Sequence, residues 1–189
     1  MSRPALPGAA DILEALRRPP GTNDERSTDG EPAEIMDQIL SLHRNNALQW
    51  AREDDARRDD ADDALVAAAK RDIDRLNRAR HQFIEGIDRT IVQALTPQDG
   101  APLVTETPGM AIDRLSVLVI RLGATQARAA PGTADARSYA DRLPQLQSQL
   151  DTLEEALATL LGDLAEGNRR FLASETLKLY GPPDVEQAG

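Results

Sequence analysis

The sequence predicts an all-α fold, a single-domain helical bundle of four or five helices with a buried central helix. Ala, Leu, Arg and Asp are common, whereas Phe, Tyr and Trp together make up only 3% of the chain, a balance that favours helices over strands. Apolar residues also recur every three or four positions over long segments, which is the period of an α-helix. A length of 189 residues suits one domain with a sizeable core.

Both ends of the chain are predicted to lie outside this domain. Residues 1–31 are rich in Pro, Gly, Thr, Asp and Glu, and only residues 11–18 show helical periodicity before Pro19 and Pro20 stop it. We interpret residues 1–31 as a disordered leader with a short helix that is marginal on its own. The helical bundle domain is predicted to span residues 32–180, and residues 181–189 are predicted to form a disordered tail.

Two long helices are predicted after the leader, and polar residues continue the inner face of each. The first begins near Pro32 and ends near Arg57, and the second spans about residues 63–95. The Asp-rich segment between them is interpreted as a solvated turn whose last acids favour the start of the second helix. The side chains that continue the two apolar faces are His43, Asn46, Trp50, Glu53 and Asp54 in the first helix, and Lys70, Asn77 and Arg80 in the second.

The central helix is predicted near residues 109–122. Thr107 is a suitable N-cap, Pro108 fits the first helical position, and Gly109 lets another group approach the amides of the first turn. The start of this helix is therefore a candidate anion or substrate site. Apolar residues cover nearly the whole circumference, so the charged residues within it need partners if they are buried. These charged residues are Asp113, Arg114 and Arg121.

A seam of leucines is predicted in the last long helix. Steps of three and four residues separate Leu143, Leu146, Leu150, Leu153, Leu157, Leu160, Leu164 and Phe171, with an interruption at Gly167. This pattern is typical of a packing surface rather than of a site. We predict that the seam packs inside the bundle, and the alternative is a homodimer through residues 143–164.

The inner faces and the central helix together predict a polar cluster between helices. As a site, the cluster would hold a small polar or anionic ligand, and we predict Glu106, Asp113 and His43 as its catalytic residues. The predicted ligand-binding residues are Asn46, Trp50, Glu53, Asp54, Lys70, Asn77, Arg80, Thr107, Gly109, Arg114, Lys178 and Tyr180. The alternative is a network of buried ion pairs that fixes helix register and does no chemistry, such as Asp113 with Arg80 and Glu53 with Arg114.

No metal site is predicted, and no motif identifies a cofactor. Neither His43 nor His81 has an acid three residues earlier, as a di-iron bundle requires, and the chain has no cysteine. Phosphate-binding loops and nucleophile elbows are also absent. Glu85 and Asp88 resemble half of a magnesium-binding acid set, but they have no companion pair and are interpreted as surface or helix-end charge.

Net charge and hydropathy limit the partners and the cellular location that we expect. A formal net charge of −10 repels nucleic-acid phosphates and anionic lipids, so neither nucleic acid nor membrane is expected as a partner. No apolar run of about 18 residues or signal peptide is present, which favours a cytoplasmic protein of bacterial type. The leading hypothesis is a small-molecule enzyme or binding protein. The alternatives are a non-catalytic interaction or assembly protein that uses the leucine seam and, third, a metal-dependent hydrolase.

Four separated motifs occur in order over most of residues 35–182. They are Leu42-His43-x-x-Asn46-x-x-x-Trp50-x-x-Glu53-Asp54, Lys70-Arg71-x-Ile73-Asp74-x-Leu76-Asn77-x-x-Arg80, Glu106-Thr107-Pro108-Gly109-x-x-Ile112-Asp113-Arg114-Leu115-Ser116, and Lys178-x-Tyr180. With these motifs the chain resembles an uncharacterised bacterial family, a domain of unknown function. The resemblance implies a helical domain of about this length and no settled activity. Gly181 and Pro182 stand where the family would have an Asn-Asp pair.

Overall fold

The structure, a computed structural model, describes residues 6–18, 31–58 and 60–173. Within these ranges the chain forms four long helices and two short ones, and the only β contact is an isolated bridge between Leu103 and Arg170. The predicted all-α, single-domain bundle is confirmed. The helices are α1 (Ala9–Arg17), α2 (Glu31–Ala56), α3 (Asp63–Ala94), α4 (Pro108–Arg128), α5 (Ala136–Ala140) and α6 (Leu143–Ala165).

Helices α2 and α3 form a long hairpin, α4 packs against both of its helices, and α1 packs against α2. The Asp62 carboxylate accepts the Leu65 N–H at 2.7 Å and caps α3, and Asp63 stands in its first turn, where negative charge is favourable. The acids that end the Asp-rich segment therefore start the second helix, as predicted. The predicted starts near Pro32 and residue 63 agree with the observed helices to within one residue.

Helix α4 lies against α2, α3 and α6 and supplies the centre of the core. The Thr107 hydroxyl accepts the Met110 N–H at 3.3 Å as the predicted N-cap, and Ile112 and Leu115 are at most 1% exposed. The helix continues to Arg128, beyond the predicted end at residue 122, and it is not enclosed all round. Arg114 and Arg121 are exposed, because one side of α4 faces solvent between its neighbours.

The leucine seam of α6 packs inside the chain. Leu150, Leu157 and Leu164 are at most 1% exposed and belong to the same core cluster as Leu115 of α4. Their contacts are made with α4 and α1. The intramolecular alternative is thus the one observed, and a homodimer through residues 143–164 has no support, because these side chains are already covered.

Helix α1 corrects the predicted boundary of the domain. Ile12, Leu13 and Leu16 are at most 2% exposed and form part of the core, where α1 contacts α6, α2 and α4. A helix of nine residues is marginal alone, and burial of its apolar face supplies the stability that its length does not. Residues 9–17 are therefore part of the folded bundle rather than of a disordered leader. Residues 1–5 and 19–30 of that leader and the predicted tail, residues 181–189, lie outside the described residues.

Candidate functional site

A buried polar network joins α2, α3 and α4. Asp113, which is 5% exposed, accepts Arg80 Nε at 2.7 Å on Oδ1, and a second guanidinium nitrogen of Arg80 on Oδ2. Asn46 Nδ2 also donates to Asp113 Oδ1 at 2.9 Å. The hydrogen bond to Asp113 raises the pKa of the Arg80 guanidinium, so this guanidinium remains charged. This is the predicted pair of Asp113 with Arg80.

His43 extends the network into the core. Its Nδ1 lies 2.9 Å from Ser116 Oγ, and this oxygen also accepts Asn46 Nδ2 at 3.1 Å. Burial, with a smaller contribution from Arg44, lowers the pKa of His43 and keeps the imidazole neutral near pH 7. His43 does not line any of the cavities described below, so this predicted catalytic residue sits behind them rather than in them.

The start of α4 is occupied by a carboxylate of the chain itself. Asp88 is fully buried, and its Oδ1 accepts the Gly109 N–H at 2.7 Å. Burial raises the pKa of Asp88, which the hydrogen bonds from Thr107 and Gly109 offset only in part. A Cβ atom added at Gly109 would lie 2.6 Å from the carbonyl oxygen of Ile84, so the glycine is needed for this approach.

Two expectations change with this contact. The interpretation of Asp88 as surface or helix-end charge is wrong, because this residue is buried within α3 and lies under the first turn of α4. The predicted anion site at that turn is filled by Asp88, which satisfies the helix dipole from inside the protein. Thr107 therefore caps α4, and Gly109 allows α3 to approach the first turn of α4 closely.

Three cavities follow one another along the open side of α4, and we call them together the α4 groove. Their volumes are about 640, 410 and 200 Å³. Arg121 lines all three, Arg80 lines the first and third, and Trp50 lines the second and third. The shared residues show that the cavities are contiguous. The two larger cavities each fall within the range of about 300–1,000 Å³ that is common for small-molecule sites, and the third extends them.

Two buried hydrogen-bond acceptors belong to the smallest cavity. Asn46 Oδ1 and Gln49 Oε1 are buried and have no hydrogen-bond partner among the described residues, and both residues line the cavity of about 200 Å³. The amide nitrogens fix both orientations, since Asn46 donates to Asp113 and Gln49 Nε2 donates to Glu53 Oε1 at 3.3 Å. Buried acceptors normally have a donor. Because both residues line the same cavity, that cavity is a place from which a donor can reach them.

The cations of the groove differ in how they are neutralised. Arg114 binds both carboxylate oxygens of Glu106 at 2.9 Å, and Arg80 is paired with Asp113. Arg121, two helical turns after Arg114 on the same face, has no hydrogen bond or ion pair through its guanidinium within the described part of the chain. Arg121 is therefore an unpaired positive charge at the point where the three cavities meet.

A comparison with protein families matches residues 36–172 to a family described as a protein of unknown function, DUF4254. The chain belongs to the DUF4254 family. The expected resemblance to a family of unknown function is thereby confirmed at that level. No curated protein and no solved structure matches the chain. Because membership in DUF4254 supplies no activity, the function has to be argued from the groove.

The other predicted site residues are distributed unevenly over this DUF4254 domain. Glu53 lines the smallest cavity but pairs with Arg57 at 3.1 Å, not with Arg114 as the ion-pair alternative expected. Asp54 lies 3.7 Å from Arg128. Lys70 is exposed and pairs with Asp74 at 2.8 Å, outside the groove, and Asn77 does not line it either. Lys178 and Tyr180 lie outside the described residues.

Several groove residues were not predicted. Arg121 was recognised only as a charge in need of a partner, although its spacing of seven residues from Arg114 places both on one face of α4. Gln49 lies next to Trp50 on α2 and gave no separate signal. Tyr139 and Arg142 belong to the segment before α6, where no helical period relates them to the inner faces.

None of the described helices is both long enough and apolar enough to cross a membrane. Within the same residues, no three or more His, Asp and Glu side chains are grouped so that they could hold a metal ion.

Proposed function

We propose that this DUF4254 protein binds a small polar ligand that carries negative charge, and that the ligand occupies the α4 groove. The observation that carries the proposal is the pair of unpartnered buried acceptors, Asn46 Oδ1 and Gln49 Oε1, at a cavity that the unpaired Arg121 also lines. The acceptors call for N–H or O–H donors. The guanidinium calls for an anion.

The surroundings of the groove support the same ligand chemistry. The chain has a formal net charge of −10, yet Arg121 has no carboxylate partner among the described residues. An unpaired arginine at a concave surface can bind an anion without first breaking an ion pair with another side chain. The Asp113 carboxylate accepts hydrogen bonds from both Arg80 and Asn46, so one wall of the cavity is ordered before any ligand arrives.

The predicted catalytic residues take different places in this proposal. Glu106 lines the largest cavity and, held by Arg114, is the one of the three that a ligand there would contact. Asp113 acts through Arg80 and Asn46, and His43 supports Ser116 behind the cavity wall. The proposal is therefore one of binding, with Glu106 as the group available for proton transfer if the ligand reacts.

No observation favours the alternative of an interaction protein that uses the leucine seam. Leu150 and Leu157 are buried against other parts of the same chain, which removes the surface that this function would need. A cytoplasmic location remains a prediction from the composition.

A thermal-shift screen tests the proposal. Phosphorylated sugars, nucleotides and amino acids are added to the parent protein and to Arg121→Gln, with Arg78→Gln as the control because Arg78 is an exposed arginine of α3 outside the groove. We expect a ligand that raises the Tm of the parent and of Arg78→Gln, because ligand binds only the native state, and a much smaller shift for Arg121→Gln. Equal shifts in the two variants, or no shift with any class, would reject the groove as the site.

A further inference from the structure

The end of the α4 groove next to α5 is built around one tyrosine. The guanidinium carbons of Arg128 and Arg142 lie 5.6 and 5.4 Å from the centroid of the Tyr139 ring, and Arg128 Nη1 donates to Tyr139 Oη at 3.1 Å. All three residues line the cavity of about 410 Å³, together with Arg121. Contact with the ring orients both guanidiniums without neutralising them.

The charge at this end is not balanced. Arg128 reaches one carboxylate, that of Asp54, at 3.7 Å, and neither Arg121 nor Arg142 forms an ion pair within the described residues. Three guanidiniums thus share one distant carboxylate in a protein whose net charge is −10. A phosphate group, with close to two negative charges and oxygens that match the planar donors of arginine, satisfies this end better than a single carboxylate does.

An indole connects this cationic end to the unpartnered acceptors. Trp50 lines both the cavity of about 410 Å³ and the cavity of about 200 Å³, to which Asn46 and Gln49 belong. The face of an indole favours a flat aromatic ring, and the acceptors beyond it favour N–H groups on the edge of that ring. A nucleobase has both features, whereas the sugar of a sugar phosphate has hydroxyls but no flat ring.

We infer that the ligand is a nucleotide, whose phosphate lies among the arginines around Tyr139 and whose base lies against Trp50 with its N–H groups toward Asn46 and Gln49. The inference rests on the proposed function of the groove and names the class of ligand within it. Arg121 lines every cavity along this path, so it can contact the phosphate from the α4 side.

The test uses Trp50, which is the only tryptophan of the chain. Adenosine 5′-monophosphate, guanosine 5′-monophosphate, adenosine and ribose 5-phosphate are titrated into the full-length protein while indole fluorescence is recorded with excitation at the red edge of its absorption. We expect at least one of the two nucleotides to quench Trp50 saturably, because a stacked base contacts the indole directly. Adenosine should bind at least about tenfold more weakly than that nucleotide, since it lacks the phosphate.

Two variants test where the phosphate binds, and a third serves as their control. Arg142→Gln and Arg121→Gln should each raise the Kd of the nucleotide about tenfold, because each removes a charged hydrogen-bond donor. Arg137→Gln should leave Kd unchanged, since Arg137 is an exposed arginine of the same short helix, α5, but does not line the groove. An unchanged Kd in Arg142→Gln would show that the phosphate does not bind at the Tyr139 end and would overturn the inference.

The remaining outcomes separate this inference from the proposed function. If ribose 5-phosphate binds as tightly as the nucleotides and does not quench Trp50, the inference of a nucleotide is overturned. The proposed function, binding of a polar anionic ligand in the groove, then still stands. A thermal shift with amino acids alone would lead to the same conclusion. If no class of ligand shifts the Tm, the inference and the proposed function fail together.

Discussion

Two buried aspartates lie at helix α4, and their carboxylates have different kinds of partner. Asp113 lies within α4 and is paired with Arg80 through two hydrogen bonds, with Asn46 as a third donor. Asp88 lies on α3 and has no ion pair within the described residues. Its carboxylate accepts the Gly109 N–H at the start of α4, and burial raises its pKa.

The difference shows which part of α4 is closed and which part is open. Around Asp88, backbone and carboxyl pack so closely that no side chain fits at Gly109. Around Asp113 the balancing charge is Arg80, whose side chain is 29% exposed and lines the α4 groove. The carboxylate paired with a cation thus places that cation at the surface where a ligand is proposed, whereas the carboxylate that accepts a backbone N–H closes the helix start.

The largest expected effect is the loss of the Asp113 pair. Asp113→Asn should lower the free energy of unfolding by about 3 kcal/mol, because it leaves a partly buried Arg80 without its anion. Urea unfolding measures the change, and Asp74→Asn is the control, since Asp74 pairs with Lys70 at the surface. Similar costs for the two variants would mean that burial does not distinguish the Asp113 pair from a surface pair.

Gly109→Ala tests the closed end. The added Cβ would lie 2.6 Å from the carbonyl oxygen of Ile84 and 2.8 Å from Asp88 Oδ1, so α3 and α4 must move apart, and we expect a loss of about 2 kcal/mol. Gly123→Ala is the matched control on the same helix, because nothing lies within 4 Å of its Cβ. That control should be neutral or should stabilise the protein by up to about 1 kcal/mol, as alanine favours helix. A tolerant Gly109→Ala would show that the start of α4 is not closely packed.

Asp88→Asn should have a smaller effect that depends on pH. Since the folded-state pKa of Asp88 is raised above its ordinary value of 3.8, the native state binds the proton more tightly than the unfolded state. The parent therefore loses stability as pH rises from that value through the raised pKa, while the neutral asparagine does not. We expect the stability of Asp88→Asn relative to the parent to increase with pH in urea unfolding between about pH 4 and about pH 8.

Other groups titrate in the same range, so the difference between variant and parent is the quantity to follow. Parallel curves for the two proteins would contradict the raised pKa of Asp88.

Glu106→Gln should have the smallest effect on stability. The Arg114 side chain is 61% exposed and that of Glu106 is 34% exposed, and such pairs contribute about 0.5 kcal/mol or less. Thermal unfolding without ligand should therefore barely change. A loss above about 1 kcal/mol would place Glu106 with Asp113 among the stabilising pairs and weaken its assignment to the groove.

The helices and part of the buried network could be predicted from the sequence. The start of α3 depends on its Asp62 cap, and both α2 and α3 follow the apolar period, which are local properties. The seam through Leu150 and Leu157 likewise repeats at helical spacing. The pair of Asp113 with Arg80 was predictable because both residues interrupt apolar inner faces, and a buried charge needs a partner.

Tertiary structure decided the rest, including where the candidate site lies. Asp88 meets Gly109 across 21 positions of sequence, and α1 becomes part of the core only because other helices leave an apolar surface for it. Arg114 has a carboxylate partner and Arg121 has none in the described chain, although both lie on one face of α4. The sequence period sets the direction of a side chain around its own helix, but the group that it meets depends on how whole helices are placed against one another.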